Sequence, residues 1–378
     1  MFVIEDFAKL HHASHIIWDI DGTITDENGQ LSPEVAAKII CLGSGDMGIH
    51  HTFITGRDGN WLIEKIVAPM QKFPMFRDVS HNLTFYGEAG SVVVGIGSGK
   101  TVTKKVHQQV EDHPLALNKR GIRDNLRELV YDPTKLTTYE GEVGAREKVI
   151  YDGNEQGWIV NIDEDEPPLH PYIWSTSKEV FATLEKIRDE EGKIKDFDQA
   201  PFVQIVKEMI KKKGFERQID IAPAATAIDI VPKAKGLKLG KSWAAGRALL
   251  RIHDDVLGCD PNKPDLHRLR TVIDDTIAFG DSEADLDFIT PLFPQTIQRK
   301  LSRDHRTLQI VFVGDDGGIP GYKDKYKEHI IIHGTGEGDL AFNRHKNVIQ
   351  LHAARGARVV SAVLDFLKQW DYFKPFIP

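Results

Sequence analysis

The sequence predicts an α/β protein: a parallel sheet covered by helices, interrupted by an inserted α+β domain. Three observations carry this. Over residues 1–87, short apolar strands alternate with loops and helices, which is the grammar of a parallel sheet with both faces covered. The same alternation returns over 223–378. Between them, 88–222 shows paired strands and two helical stretches without that alternation. The expected division is therefore a core made of 1–87 and 223–378, with 88–222 inserted, and 378 residues suffice for two hydrophobic cores.

In chain order, His15-Ile16-Ile17-Trp18-Asp19-Ile20 reads as a buried strand. Ser32-Pro33 opens a helix from Glu34, with Ser at the N-cap and Pro at the first helical position. Thr52-Phe53-Ile54 is a second strand, followed by a helix around Trp61–Val67. Leu83-Thr84-Phe85 and Ser91-Val92-Val93-Val94 flank the turn Gly87-Glu88-Ala89-Gly90 and predict a hairpin. Trp158–Ile162 is a strand of the insertion. Thr176 and Glu179 form a capping box for a helix ending near Gly192. Phe202, Ile205, Val206, Met209 and Ile210 lie at helical spacing, with Gly214 as the stop. Ile219-Asp220-Ile221 closes a small mixed sheet. Ile228–Val231 and Thr276–Phe279 are strands of the returning core.

Composition excludes several classes. With 41% hydrophobic and 28% charged residues, the chain is an ordinary globular protein. Its 48 basic and 56 acidic residues leave −8, which argues against a nucleic-acid partner. Two cysteines, Cys41 and Cys259, make no disulfide scaffold. The acidic N-terminus has no signal-peptide pattern and no run approaches 18 apolar residues, so a cytoplasmic protein without membrane contact is expected. Oligomeric state leaves no trace in the sequence. His11, His12 and His15, and His50 and His51, lack acidic or cysteine company at ligand spacing and are not read as a zinc site. Gly334–Gly338 lacks GxGxxG, and Asp315-Asp316-Gly317-Gly318 after Ile310–Val313 is read as a plain turn.

The chemistry sits in four segments that share one pattern, a short apolar strand followed by a reactive side chain. They are Asp19-Ile20-Asp21-Gly22-Thr23, Thr55-Gly56-Arg57, Lys235-Gly236 and Gly280-Asp281-Ser282-Glu283-Ala284-Asp285. In open parallel sheets ligands bind outside the carboxyl ends of the strands, so these segments would converge on one crevice. Phosphoryl transfer needs this set. Asp19 can attack phosphorus and bind a cation through its other oxygen. Asp21 can protonate the leaving oxygen and then activate water. Gly22 and Thr23 let the backbone turn toward phosphate oxygens. Thr55, with Gly56 and Arg57 beside it, and Lys235, with Lys233 as rival, offer a hydroxyl and an ammonium to the phosphoryl group. Asp19, Asp21, Asp281 and Asp285 offer hard oxygens suited to Mg²⁺.

In order and in residues, these segments resemble the four motifs of the haloacid dehalogenase-like hydrolase superfamily. The resemblance covers about 10–70 and 225–290. The long insertion between Thr55 and Lys235 resembles the C2-type cap of Cof-like, sucrose-phosphate and trehalose-phosphate phosphatases and of eukaryotic phosphomannomutase. It implies a Rossmann-like core with a cap, and hydrolysis of a small phosphate ester, a sugar phosphate first, through an aspartyl-phosphate with Mg²⁺. Two departures stand out: Ala284 where relatives carry Asn, which weakens Asp285 as a direct ligand, and Gly87-Glu88-Ala89-Gly90 where they carry Glu-Asn-Gly. From 90 to 225 there are 20 basic and 24 acidic residues, a near balance that suits a neutral leaving group such as a sugar. A phosphosugar mutase on the same core, and a non-catalytic phosphate- and metal-binding module, remain as alternatives.

Overall fold

The computed structural model describes residues 13–26, 29–44, 48–97, 101–113, 115, 121–130, 147–151, 157–161, 172–175, 177–186, 199–224, 227–234, 237–256, 258, 260, 264–301, 308–313, 331–334, 342–345, 348–351, 360, 361 and 364. The chain divides into two compact units, Met1–Lys105 with Gly240–Pro378, and Val106–Leu239. The inserted unit begins 18 residues and ends 17 residues later than the expected 88–222.

The first unit opens with strands β1 (His15–Asp19), β2 (His50–Ile54), β3 (Leu83–Gly87), β4 (Val92–Ile96) and β5 (Val102–Val106). β1 is buried along its whole length, and its side chains alternate between two cores. Ile16, Trp18 and Ile20 enter one and Ile17 the other, as the two-residue period of a strand requires. Helix α1 (Pro33–Leu42) starts where Ser32 caps the Val35 N–H, and buries Val35, Ala36, Ile39 and Ile40. Helix α2 (Gly59–Leu62) starts at Asp58, whose side chain accepts from the N–H groups of Asn60 and Trp61. A π turn over Ile63–Val67 continues it.

The inserted unit holds β6 (Glu147–Tyr151), β7 (Gly157–Asn161), β8 (Tyr172–Trp174), β9 (Ala182–Lys186), β10 (Ile219–Pro223), β11 (Ala227–Ala234) and β12 (Leu237–Lys238), with helices α3 (Ile122–Val130) and α4 (Ala200–Lys212). Its main sheet runs β10-β11-β9-β8, all antiparallel, and β12 pairs with β11. The helix expected from Thr176 to Gly192 gives way to β9: Ala182, Thr183, Leu184 and Lys186 are buried there, and the strand is fixed by pairing with β11 and β8. Ile228–Val231, expected in the core, belongs to this sheet. Asp229 accepts from Lys178 Nζ at 2.8 Å and from Thr183 Oγ1 at 2.5 Å, tying β11 to β9.

The chain then returns to the first unit through helices α5 (Lys241–Arg251) and α6 (Leu266–Asp274) and strands β13 (Thr276–Gly280), β14 (Gln309–Phe312), β15 (Ile331–Gly334), β16 (Phe342–His345) and β17 (Val348–Leu351). The sheet has ten strands in the order β16-β17-β15-β14-β13-β1-β2-β3-β4-β5. It is parallel from β17 to β3, while β16 pairs antiparallel with β17 and β4 with β3. The expected 83–94 hairpin therefore forms, but it extends the core sheet instead of opening the insertion. Across the middle, Trp18 stacks on Phe279 at 4.4 Å and Phe53 on Phe85 at 4.7 Å. Among the described residues no helix is long and apolar enough to cross a membrane.

Candidate active site

β1, β2 and β13 lie side by side and end at Asp19, Ile54 and Gly280, so Asp19, Thr55 and Asp281 emerge at the same edge of the sheet. A cavity of about 660 Å³ opens there, lined among others by Asp19, Asp21, Gly56, Arg57, Trp61, Lys241 and Asp281. Two networks share it.

The inner network is built on Asp19. One of its oxygens, Oδ2, accepts from Thr23 Oγ1 at 3.2 Å, and Oδ1 accepts from Lys241 Nζ at 2.6 Å. Lys241 also donates to Asp285 Oδ1. The other oxygen of Asp285 accepts from the backbone N–H groups of Asp281 and Ser282 and from Ser282 Oγ, which closes the loop after β13. This approach needs glycine: a Cβ on Gly280 would strike the Asp285 side chain, and one on Gly22 the Asp281 carboxylate. Burial pushes the Asp19 carboxyl well above the usual range, the Asp285 charge adds to this, and Lys241 offsets part of it. Asp281 rises to about 6, by burial first and Asp285 second. For Lys241 burial acts to lower, but the carboxylates of Asp19 and Asp285 outweigh it and hold the ammonium above its ordinary value.

The outer network is built on Asp21. Thr55 Oγ1 donates to its Oδ2 at 2.9 Å and Arg57 Nε to its Oδ1 at 3.1 Å. Beneath both, the 87–90 turn holds the Thr55–Arg57 backbone. The N–H of Glu88 donates to Arg57 O and that of Ala89 to Thr55 O, each at 2.8 Å. Both residues sit in the left-handed region, at φ 45° and 51°, a conformation L side chains adopt at a cost.

The structure gathers Asp19, Asp21, Gly22, Thr55, Gly56, Arg57, Asp281 and Asp285 around one cavity or in direct support of it. Thr23, expected at the phosphate, donates its hydroxyl to Asp19. The Gly22 N–H donates to Thr25 Oγ1. Arg57, also expected at the phosphate, holds Asp21. Lys235 lies outside the described residues; among the described residues the ammonium that reaches Asp19 belongs to Lys241, six positions on. Its signal was a lysine at the first position of a helix, where the dipole opposes a cation. Such a placement needs anionic partners, and Asp19 and Asp285 are those partners. Trp61 left no comparable signal, since a tryptophan on a short helix reads as core.

Asp19, Asp281 and Asp285 bring one carboxylate oxygen each within 4.8 Å of one another. Asp285 gives one oxygen to Lys241 and the other to three donors of its own loop, whereas Asp19 carries a single donor on each oxygen, so Asp19 and Asp281 are the less heavily engaged pair. Among the described residues, three carboxylates against one ammonium leave an excess of negative charge that fits a divalent cation. Asp21 is turned away to Thr55 and Arg57.

No family model matches the chain, and no curated protein does. Among solved structures, the C-terminal domain of trehalose-6-phosphate phosphatase from C. albicans is 14% identical, with a TM-score of 0.48 and 98% of each chain covered. A trehalose-6-phosphate phosphatase from Aspergillus fumigatus is 12% identical, at TM-score 0.43 with 96% of this chain and 97% of that one covered. A haloacid dehalogenase-like hydrolase from Bacteroides thetaiotaomicron is 14% identical, at 0.39 with 79% and 93% covered. The chain is similar to these phosphatases and hydrolases, and three of the four segments by which its sequence resembles the haloacid dehalogenase-like superfamily, those at Asp19, Thr55 and Asp281, follow strands of its parallel sheet.

Proposed function

We propose that the chain is a Mg²⁺-dependent phosphate-monoester hydrolase of that superfamily, acting through an aspartyl-phosphate on Asp19. One observation carries the reading. Two aspartates two residues apart face one cavity from opposite environments, Asp19 buried against Lys241 and Asp21 at the mouth with Thr55 and Arg57. Environments that separate a pair of carboxylates in this way give them separate tasks.

Asp19 attacks phosphorus as the bond to the leaving oxygen breaks, and Asp21 gives that oxygen its proton. Asp21 then takes a proton from water, which attacks the phosphorus, frees phosphate and restores Asp19. Thr55, the exposed Gly56 backbone and Lys241 hold the phosphoryl oxygens, Lys241 taking the role that the sequence suggested for Lys235. Asp19 and Asp281 would hold Mg²⁺, which when bound offsets the repulsion between Asp19 and a dianionic phosphate. The near-balanced charge of the insertion supports a neutral leaving group, a sugar first.

The test is phosphate release from a panel of phosphorylated metabolites, with mass spectrometry of acid-quenched turnover to find the phosphoryl group on the Asp19 peptide. No release from any ester, or undiminished release by Asp19→Asn, would sink the proposal. Isomer formation without net phosphate release would move it to a phosphosugar mutase.

A further inference from the structure

The groups around Asp21 form a closed ring. The Arg57 backbone N–H donates to Thr55 Oγ1 at 3.0 Å, Thr55 Oγ1 donates to Asp21 Oδ2, and the Arg57 side chain returns to Asp21 Oδ1. An arginine whose side chain is 56% exposed would not by itself fix a carboxylate, because exposed ion pairs are weak. Here the guanidinium lies over the Trp61 ring, 5.4 Å from its centroid, a contact that restricts where it can go. Trp61 is anchored in turn. Its N–H donates to Asp58 Oδ1 at 2.9 Å, its side chain packs on the core, and its rim lies over Gly29 of the loop after β1, where a Cβ would sit 3.5 Å from Cζ2.

We infer that Arg57, braced by Trp61, is the positioning residue that fixes Asp21 through Oδ1 and so leaves Oδ2 as the oxygen that handles the proton. The inference rests on the phosphatase reading. Thr55 is a donor that the substrate phosphate also draws on. When the phosphate takes that hydroxyl, Oδ2 loses its partner while Oδ1 keeps Arg57. The carboxyl plane stays fixed, and Oδ2, carrying the proton that Asp21 took from water in the preceding turnover, is free to pass it to the leaving oxygen as the P–O bond breaks. This differs from a phosphate-binding role for Arg57, which would act on every ester alike.

The two roles separate in a leaving-group comparison at constant shape. Phenyl phosphate needs a proton on its leaving oxygen, whereas p-nitrophenolate departs with little help. A loss of phosphate binding lowers kcat/KM equally for both and cancels in their ratio; a misplaced Asp21 does not cancel. Arg57→Ala should lower kcat/KM for phenyl phosphate about tenfold more than for p-nitrophenyl phosphate, part of the factor that general acid catalysis supplies. Arg57→Lys keeps the charge without the planar fork and should fall between. Trp61→Leu should shift the ratio the same way by less. In an Asp21→Asn background, Arg57→Ala should leave the ratio where it is. Equal losses for both esters in Arg57→Ala would overturn the inference alone. A wild type inert on both would overturn the phosphatase reading, and the inference with it.

Discussion

The two ends of the same three strands treat titratable groups in opposite ways. At the carboxyl ends of β1, β2 and β13, charges are gathered, with three carboxylates around one ammonium. Toward the amino ends the titratable groups are held neutral. His15 is buried between Thr52 Oγ1 at 2.9 Å and Thr276 Oγ1 at 3.3 Å. His51 is buried with Nδ1 accepting from Trp18 Nε1 at 3.0 Å. Burial first, and neighbouring histidines second, push both imidazoles down to about 3. One end gathers charge at an electrostatic cost, while the other removes it: His15 keeps a hydrogen bond on each ring nitrogen and His51 keeps one on Nδ1. Changes at the first end should therefore move activity most, and changes at the second only stability.

The largest effect belongs to the nucleophile. Asp19→Asn should cut turnover by at least about 10⁴-fold, as loss of a covalent catalyst does. Because burial disfavours the Asp19 charge, the same substitution should raise the Tm of the metal-free protein. A fall in both would mean that Asp19 is a structural ion. Chelation should abolish phosphate release and added Mg²⁺ restore it; full turnover in metal-free buffer would break the charged-end reading. Lys241→Met is next. It removes a phosphate-stabilising cation, worth about 10²–10³-fold in kcat. It also strands Asp19 and Asp285, which should cost about 3–5 kcal/mol in chemical denaturation.

The amino end answers to acid. With a folded pKa of about 3 against an ordinary 6.5, each histidine stays neutral in the fold while the unfolded chain takes up protons. Stability is therefore complete above pH 6.5 and is lost as pH falls through the window down to about 3. The loss is on the order of 5 kcal/mol per histidine over the full window. Denaturation curves at pH 7.5 and 5.5 should show a lower midpoint at the lower pH. In His15→Asn the slope of stability against pH should be shallower by about one proton. An unchanged slope would mean that His15 is not held neutral.

The charged end was more legible in the sequence than the rest. Strand-end aspartates and the Thr55 segment announce themselves because the chemistry dictates residue type and spacing within a few positions. The ammonium did not, because a lysine reaches its target through an inserted unit whose length local sequence does not constrain. Thr176 and Glu179 read locally as the start of a helix, and what overrides them is the pairing of β9 with β11, more than 40 residues away. The same non-local pairing moved β11 from the core to the insertion, since a strand's sequence shows its period and not its sheet. The hairpin at 83–94 is legible but its sheet is not, because an antiparallel edge on a parallel sheet looks locally like the start of something new.

The smallest predicted effect concerns the turn that joins the two networks. Gly87–Gly90 holds the outer network through the carbonyls of Thr55 and Arg57. It also meets the helix that carries Lys241, since Gly90 lies against Trp243 and Ala244. Ala89 is the weak point, at φ 51° and ψ 38° without the side-chain amide that lets asparagine tolerate this region. Ala89→Asn should stabilise by about 0.5–1 kcal/mol, by relieving backbone strain without adding the unfolded-state entropy of glycine. Ala89→Gly should gain less, because that entropy offsets part of the relief. Ala89→Val places a β-branched side chain in the same conformation and should cost about 2 kcal/mol, with kcat falling as the Thr55 and Arg57 carbonyls lose their anchor. Thermal melts of the three variants give the order Asn, Gly, wild type, Val. A valine variant as stable and active as wild type would mean that the turn relaxes freely. The two networks would then be independent of one another, and the coupling between Lys241 and Asp21 through this turn would have to be abandoned.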